Sequence, residues 1–228
     1  MPTDTFTPSE DCWVRGQSGT SHADAVAANG SLFRDNQGNT AYVGLSTFFC
    51  ARTYYRFDTT SISIGATLTS AYVQVRLKNN RGVTSDGMEV HKLFKSSDNS
   101  STPSSALYQT ITTTSSTSTT DVGNTNNTDL IFPINGDLGD YLQDCITNNV
   151  QPAFLLRNKG DYDVATEGNP SGVNTRGFYG TSESPAPFIS ITYSLPSGYG
   201  NDVLGVGNSN IANVKGVATA NISKVNGV

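Results

Sequence analysis

The residues able to do chemistry are few and scattered along the chain. His22 and His91 are its only histidines. Neither sits in an HExxH, HxH or nucleophile-elbow setting that would build a metal site or an activated hydroxyl. His91 lies on a predicted strand near Glu89, where packing or a surface position is the expected role. Glycoside hydrolysis needs two carboxyl groups about 5–9.5 Å apart across a groove. The acids available for it are Glu10, Asp11, Asp58, Asp86, Glu89, Asp161, Asp163, Glu167 and Glu183, and their spacing assigns no two of them to one cleft. Asp161-Tyr-Asp163 with Glu167 offers oxygens to calcium but follows no EF-hand loop, and reads as a solvated acidic loop. There is no GxxxxGK[ST] or GxGxxG phosphate cradle; Gly205-Val-Gly207 lacks a preceding βαβ setting. Trp13, Tyr42, Tyr54, Tyr55, Tyr72 and Tyr179 are candidates for a sugar-stacking platform, although most aromatics of a β-sandwich belong to its core or to cross-strand pairs. No catalytic, cofactor-binding or metal-ligating residue is assigned, and no cofactor is expected.

The three cysteines, Cys12, Cys50 and Cys145, are far apart and odd in number, with no CxxC or Cys/His cluster. Buried free thiols are the favoured reading, with one bridge as the alternative. Charged residues make up 14% of the chain, against about 25% in an average globular protein. Gly, Ser, Thr and Asn take their place, a balance that suits turn-rich sheets. The net charge of −5 with no basic run disfavours a nucleic-acid partner. No segment approaches the roughly 20 apolar residues of a membrane helix. The start, Met1 to Glu10, has neither a basic nor an apolar leader region. Taken as the natural start, it predicts synthesis in a cytoplasm and retention there until lysis or assembly. Asn29, Asn99, Asn126 and Asn221 match the N-x-S/T pattern, which matters only in a secretory pathway.

The elements that would position these residues are mostly strands. Ala71–Lys78 alternates, with Val73, Val75 and Leu77 on one face and Tyr72, Gln74, Arg76 and Lys78 on the other. Ile189, Ile191 and Tyr193 share one face of 188–193. Further predicted strands are 12–15, 31–34, 41–45, 53–58, 89–94, 107–112, 129–134, 153–157 and 177–180. Short strands separated by turn residues predict an antiparallel β-sandwich of jelly-roll type. Leu138, Tyr141, Leu142 and Cys145 stand at helical spacing, behind acidic residues that favour a helix start. They predict one short helix over 137–148, capped by Asn135 or Asp137, covering an open end of the sandwich. The Ser/Thr/Asn-rich stretch 96–127 has little to bury, and reads as a long loop or an exposed edge strand.

After Tyr193 the character changes. The reading divides the chain into an N-terminal extension (1–10), a jelly-roll domain (11–194), a linker (195–199) and a repeat tail (200–228). In the tail Gly205, Gly216 and Gly227 stand 11 residues apart, as do Val203, Val214 and Val225, and Val206, Val217 and Val228. An 11-residue period can denote a right-handed supercoil. A glycine in every unit costs a helix about 1 kcal/mol each time, so short extended pieces around a glycine turn are expected instead. Each unit buries too little on its own. Val203, Val206, Ile211, Val214, Val217, Ile222, Val225 and Val228 are therefore assigned to docking on the chain's own domain, on a sister copy or on another protein, with a frayed, disordered terminus as the alternative.

Several segments, in order, resemble the DNRLRE-type jelly-roll domains, relatives of carbohydrate-binding modules. Asp11-Cys-Trp-Val-Arg15 resembles their opening strand. Tyr54-Tyr-Arg-Phe-Asp58 with 65–76 resembles their central D…G-A core, and 138–148 with Pro152–Arg157 their helix and following strand. Gly177–Glu183 and Pro187–Tyr193 resemble their closing F-x-S-x-E and P-x-L-x-I-x-Y segments. A tryptophan-bearing middle stretch usual in such domains is missing here. The ending Asn221–Val228 resembles repetitive I-x-K-V-N-G-V endings of tailed-bacteriophage structural proteins. Together these resemblances imply a non-enzymatic virion structural protein, a capsid or tail decoration or adhesion protein. It would contact other virion proteins and sister copies in a homo-oligomer such as a trimer, without nucleic acid or membrane. The alternative is a carbohydrate-binding or adhesive module of a bacterial surface protein or receptor-binding fibre, outside the cell and contacting a cell-surface glycan.

Overall fold

The computed structural model describes residues 1–18, 24, 31–33, 37–44, 48–81, 90–96, 118–121, 126–158, 172–195, 213–214 and 217–218. They form an antiparallel all-β sandwich with one short helix. The strands are β1 (Thr3–Phe6), β2 (Pro8–Ser18), β3 (Ser31–Phe33), β4 (Gln37–Gly44), β5 (Phe48–Phe57), β6 (Thr67–Arg81) and β7 (Val90–Lys95). They continue with β8 (Ser118–Asp121), β9 (Asp129–Ile134), β10 (Ala153–Asn158), β11 (Gly172–Tyr179) and β12 (Phe188–Ser194). A separate two-stranded sheet pairs β13 (Asn213–Val214) with β14 (Val217–Ala218). The helix is α1 (Gly136–Thr147).

One layer runs β1-β12-β6-β9. The other centres on β5, which pairs with β2 along its whole length, with β4 at its first half and with β10 at its second. β3 extends this layer beyond β2, and β7 and β8 extend it beyond β10. The layers are joined through β6. Its first part pairs with β12 and β9, and its last residues pair with β11, which continues to β4.

Alternation explains why the strands of the first layer form. Val73, Val75 and Leu77 of β6, Leu130, Phe132 and Ile134 of β9, and Ile189 and Ile191 of β12 all face the main core. That core continues through Tyr55, Phe57, Leu93, Phe154, Leu156 and Phe178 of the opposite layer. β5 follows a different rule. Every residue from Cys50 to Phe57 is buried, because both of its faces are covered. Tyr55 and Phe57 enter the main core, whereas Cys50 and Tyr54 join Cys12, Val14, Ala153 and Leu155 in a smaller cluster on the other face.

α1 covers one end of the sandwich through Leu138, Leu142, Cys145 and Ile146. Tyr141, expected on this face, lies half-buried at its margin; its ring meets Phe154 edge-on at 5.8 Å and its hydroxyl accepts the Ala153 N–H at 2.9 Å. Gln143 ties the helix to the start of β6, accepting the Leu68 N–H at 2.7 Å and donating to the Ala66 carbonyl at 3.1 Å. Asn135 takes the cap position in an extended conformation, without the expected side-chain capping hydrogen bond. At the other end Asn149 adopts φ 54°, and the Val150 N–H closes onto the Cys145 carbonyl at 2.8 Å. That is the left-handed termination asparagine tolerates.

Within the Ser/Thr-rich stretch, Ser118–Asp121 is an edge strand on β7, one of the two forms expected there. Two expectations change. The first ten residues, read as an extension, carry β1 and the start of β2, because Thr3–Phe6 finds a pairing edge on β12. The second change is length. β11 starts at Gly172 rather than 177, because its first half pairs with β4. The predicted strand 107–112 lies outside the described residues.

Leu142→Ala should cost about 2–5 kcal/mol of unfolding free energy by opening a cavity beneath α1. Gly139→Ala should instead stabilise by about 0.5–1 kcal/mol, since a Cβ there meets nothing closer than the Ile134 carbonyl oxygen at 3.8 Å. Urea unfolding of the two variants measures both.

Candidate functional site

The motif residues that open and close the sandwich meet in space. Asp11 of β2 accepts the Thr181 hydroxyl at 2.6 Å and the Thr181 N–H at 3.3 Å. Glu183 accepts the Gly180 N–H at 3.1 Å and pairs with Lys78 of β6. Lys78 also lies 6.0 Å from the ring centre of Tyr179, whose hydroxyl donates to Asn127 Oδ1 at 3.0 Å. The segment between β11 and β12 is thus fastened to both layers by carboxylates 170 and 105 residues distant from their partners.

Tyr55 lies beneath this clamp, fully buried. Burial pushes its hydroxyl pKa up, and the nearby negative charges of Asp11 and Glu183 push it further. Among the described residues neither the Tyr55 hydroxyl nor the Thr53 hydroxyl on the same strand face has a hydrogen-bond partner. The two carboxylates that converge here are tied to donors of the fold itself, and the geometry is that of a fastening.

The other candidates disperse. Asp58 accepts the Thr60 hydroxyl at 2.6 Å and the Thr60 N–H at 3.2 Å, bonds that hold its carboxyl below the usual range and shape a turn. Glu10 stands on β2 opposite Arg56. His91 is fully buried, edge-on to Phe178 at 5.6 Å. His22, Asp86, Glu89, Asp161, Asp163 and Glu167 lie outside the described residues. All three cysteines are free and buried. Cys12 pairs with Tyr54 and Cys50 with Gly16, four residues further along, which is about 13 Å in an extended strand and too far for a bridge. Burial pushes the Cys145 thiol up to about 11, even with the opposing hydrogen bond from Tyr141.

Of the aromatic candidates, Tyr54 and Tyr55 are buried and Trp13 is half-buried. Tyr72 is half-exposed on the outer face of β6, edge-on to Phe188 of β12 at 5.9 Å. Ile131, 50% exposed on β9, shares this face. Sequence reasoning missed Phe188 because it counted only Trp and Tyr as exposed rings, and Ile131 because it considered only aromatic residues for such a surface.

In the tail, β13 and β14 pair antiparallel with Val214 opposite Val217, across Lys215-Gly216. Extended pieces thus flank a repeat glycine there. Val203, Val206, Ile211, Ile222, Val225 and Val228 lie outside the described residues. The tail leaves the sandwich at β12, where Tyr193 donates its N–H to the Pro2 carbonyl at 3.2 Å and its hydroxyl to Asp4 at 2.7 Å.

Asp11→Ala and Thr181→Val should each cost about 1–3 kcal/mol, and the double variant less than their sum, because both remove one clamp. Denaturant midpoints test this. Alkali should also loosen the fold. The Tyr55 and Tyr141 hydroxyls are raised by burial, and Tyr193 by its bond to Asp4 and then by burial. A raised folded-state pKa contributes stability below the ordinary tyrosine value of about 10 that is lost as pH rises through the folded-state value. Melting temperature should therefore fall above about pH 10, with the tyrosinate absorbance of Tyr55 and Tyr141 appearing only as the fold opens. Compared with known families and curated proteins, the chain matches no family model and no curated protein.

Proposed function

We propose that this chain is a non-enzymatic virion structural protein of a tailed phage, a capsid or tail decoration or adhesion protein whose β-sandwich is held in place by its C-terminal repeat. The observation that carries the reading is the repeat itself. Valines and isoleucines recur every 11 residues around glycine, and at Val214 and Val217 the chain is extended and paired across such a glycine. Burying one such side chain contributes about 1.5–3 kcal/mol, so several recurring units supply a strong drive towards a partner. The I-x-K-V-N-G-V ending resembles those of phage structural proteins. The DNRLRE-like segments suit a jelly-roll body, and their motif ends coincide with the Asp11–Thr181 clamp. Other virion proteins and sister copies are the proposed partners, and the virion the proposed location. No described helix is long and apolar enough to cross a membrane, and the net charge of −5 opposes contact with nucleic acid.

A second reading, a carbohydrate-binding or adhesive module, is favoured by the half-exposed Tyr72 and Phe188 beside Gln74 on an open sheet face. Their edge-on arrangement offers a sugar one ring face rather than a flat platform.

Ending the chain after Ser197 should leave a soluble, folded protein that no longer assembles or attaches, measured by particle incorporation. Unchanged incorporation would remove the proposed role. Val214→Asp with Val225→Asp should impair attachment while leaving the main melting transition within about 1 °C, since surface substitutions change stability little. A large drop would place the tail in the core of the fold.

A further inference from the structure

We propose that Asn135-Gly136, the joint between β9 and α1, is a self-modification site. The side-chain amide is lost through a cyclic imide, and one of the two products loosens the first turn of α1. An asparagine followed by glycine is the favoured pair for this chemistry, because glycine has no Cβ to hinder attack by its own backbone nitrogen. The chain has such pairs at 29–30, 135–136 and 226–227, and the middle one lies among the described residues. Both of its residues are exposed, between the buried Ile134 and Leu138.

Three features of the joint favour the reaction. Gly136 opens α1, where a backbone N–H has no intrahelical acceptor, and none of the described residues holds it. Asn135 is extended, with φ −141° and ψ 175°, and its side chain does not cap the helix. Turning its ψ to bring the Gly136 nitrogen against Cγ strains one helical bond, from the Gly139 N–H to the Asn135 carbonyl. At 3.3 Å that bond is longer than usual. A groove of about 290 Å³, lined in part by Ser70, Asn135, Gly139, Asp140 and Gln143, admits water beside the joint.

The lone pair of the deprotonated Gly136 nitrogen forms a bond to Asn135 Cγ. The Cγ–Nδ2 bond breaks, and the side-chain nitrogen leaves as ammonia with a proton returned by water. A second water then opens the imide. Opening at Cγ leaves aspartate on an unaltered main chain, its charge placed where the helix dipole favours it. Opening at the backbone carbonyl carbon leaves isoaspartate. The main chain then runs through Cβ and Cγ, and the former carbonyl becomes a free carboxylate. That carbonyl is the acceptor of the Gly139 N–H, so isoaspartate takes the first acceptor of α1 out of the main chain. Ile134 is anchored by its pairing with Ala71 and Leu138 by the core. The added length is therefore taken up in the first turn. With ammonia lost, the change runs one way.

The test is storage of the full, folded chain in mildly alkaline buffer, with digestion and mass mapping at intervals. The peptide holding Asn135 should gain the mass of an amide turned to an acid, and separate into aspartate and isoaspartate isomers. Asn148, whose side-chain nitrogen is held by the Asp144 carbonyl at 2.8 Å and which precedes Asn149, should keep its amide. Amide hydrogen exchange of the separated products should show the first turn of α1 less protected in the isoaspartate form alone. Gly136→Asn, a residue type that tolerates the φ of 50° there, should slow conversion about tenfold or more. Asn135→Ser, a capping residue without an amide, should lose no protection with age. An Asn135 that keeps its amide when folded but loses it in urea, a product free of isoaspartate, or an isoaspartate form with α1 protected like the parent would each overturn the proposal. So would a Gly136→Asn chain of intact circular dichroism that converts at the parent rate, or an Asn135→Ser chain whose α1 loosens with age. The mapping uses the unaltered chain and decides the matter even if Gly136→Asn fails to fold.

Discussion

The sandwich depends on β6 serving two layers at once. A strand of 15 residues is long enough to pair with β12 and β9 over its first part and with β11 at its far end. β11 and β12 follow each other along this one strand, so the chain between them must bulge outwards. It is this bulge that Asp11 and Glu183 fasten. An interior of branched and aromatic side chains then fills the space between layers that a single backbone has already brought together.

Much of this was legible from local pattern. β6, β9 and β12 alternate because one face of each meets the core and the other meets solvent, and the helix shows its apolar spacing for the same reason. β5 did not read cleanly, because burial on both faces erases alternation, and Arg52, Thr53 and Arg56 are buried beside Tyr54 and Tyr55. β1 was illegible for another reason. Its four residues have a partner almost at the other end of the domain, Thr3 opposite Thr192, and no short-range period reports such a pairing.

The clamp shows what resemblance alone leaves out. Asp11, Thr181 and Glu183 all fall within the segments that resemble the jelly-roll family, yet nothing in their spacing says that they touch. Their contacts give those motif positions a structural reason: they secure the segment between two strands that share a neighbour. The tail is the converse case. Its period is plain in the sequence, whereas the pairing of Val214 with Val217 is visible only in the fold.

The arrangement of the sulfur atoms bears on where such a protein can live. Each thiol is walled off, two of them inside one small cluster yet too far apart along neighbouring strands to join, and the third on the buried face of α1. None of these thiols needs to be oxidised for the fold to hold, and none is exposed to glutathione or oxygen. The same fold can persist unaltered through a passage from a reducing interior to an aerobic exterior.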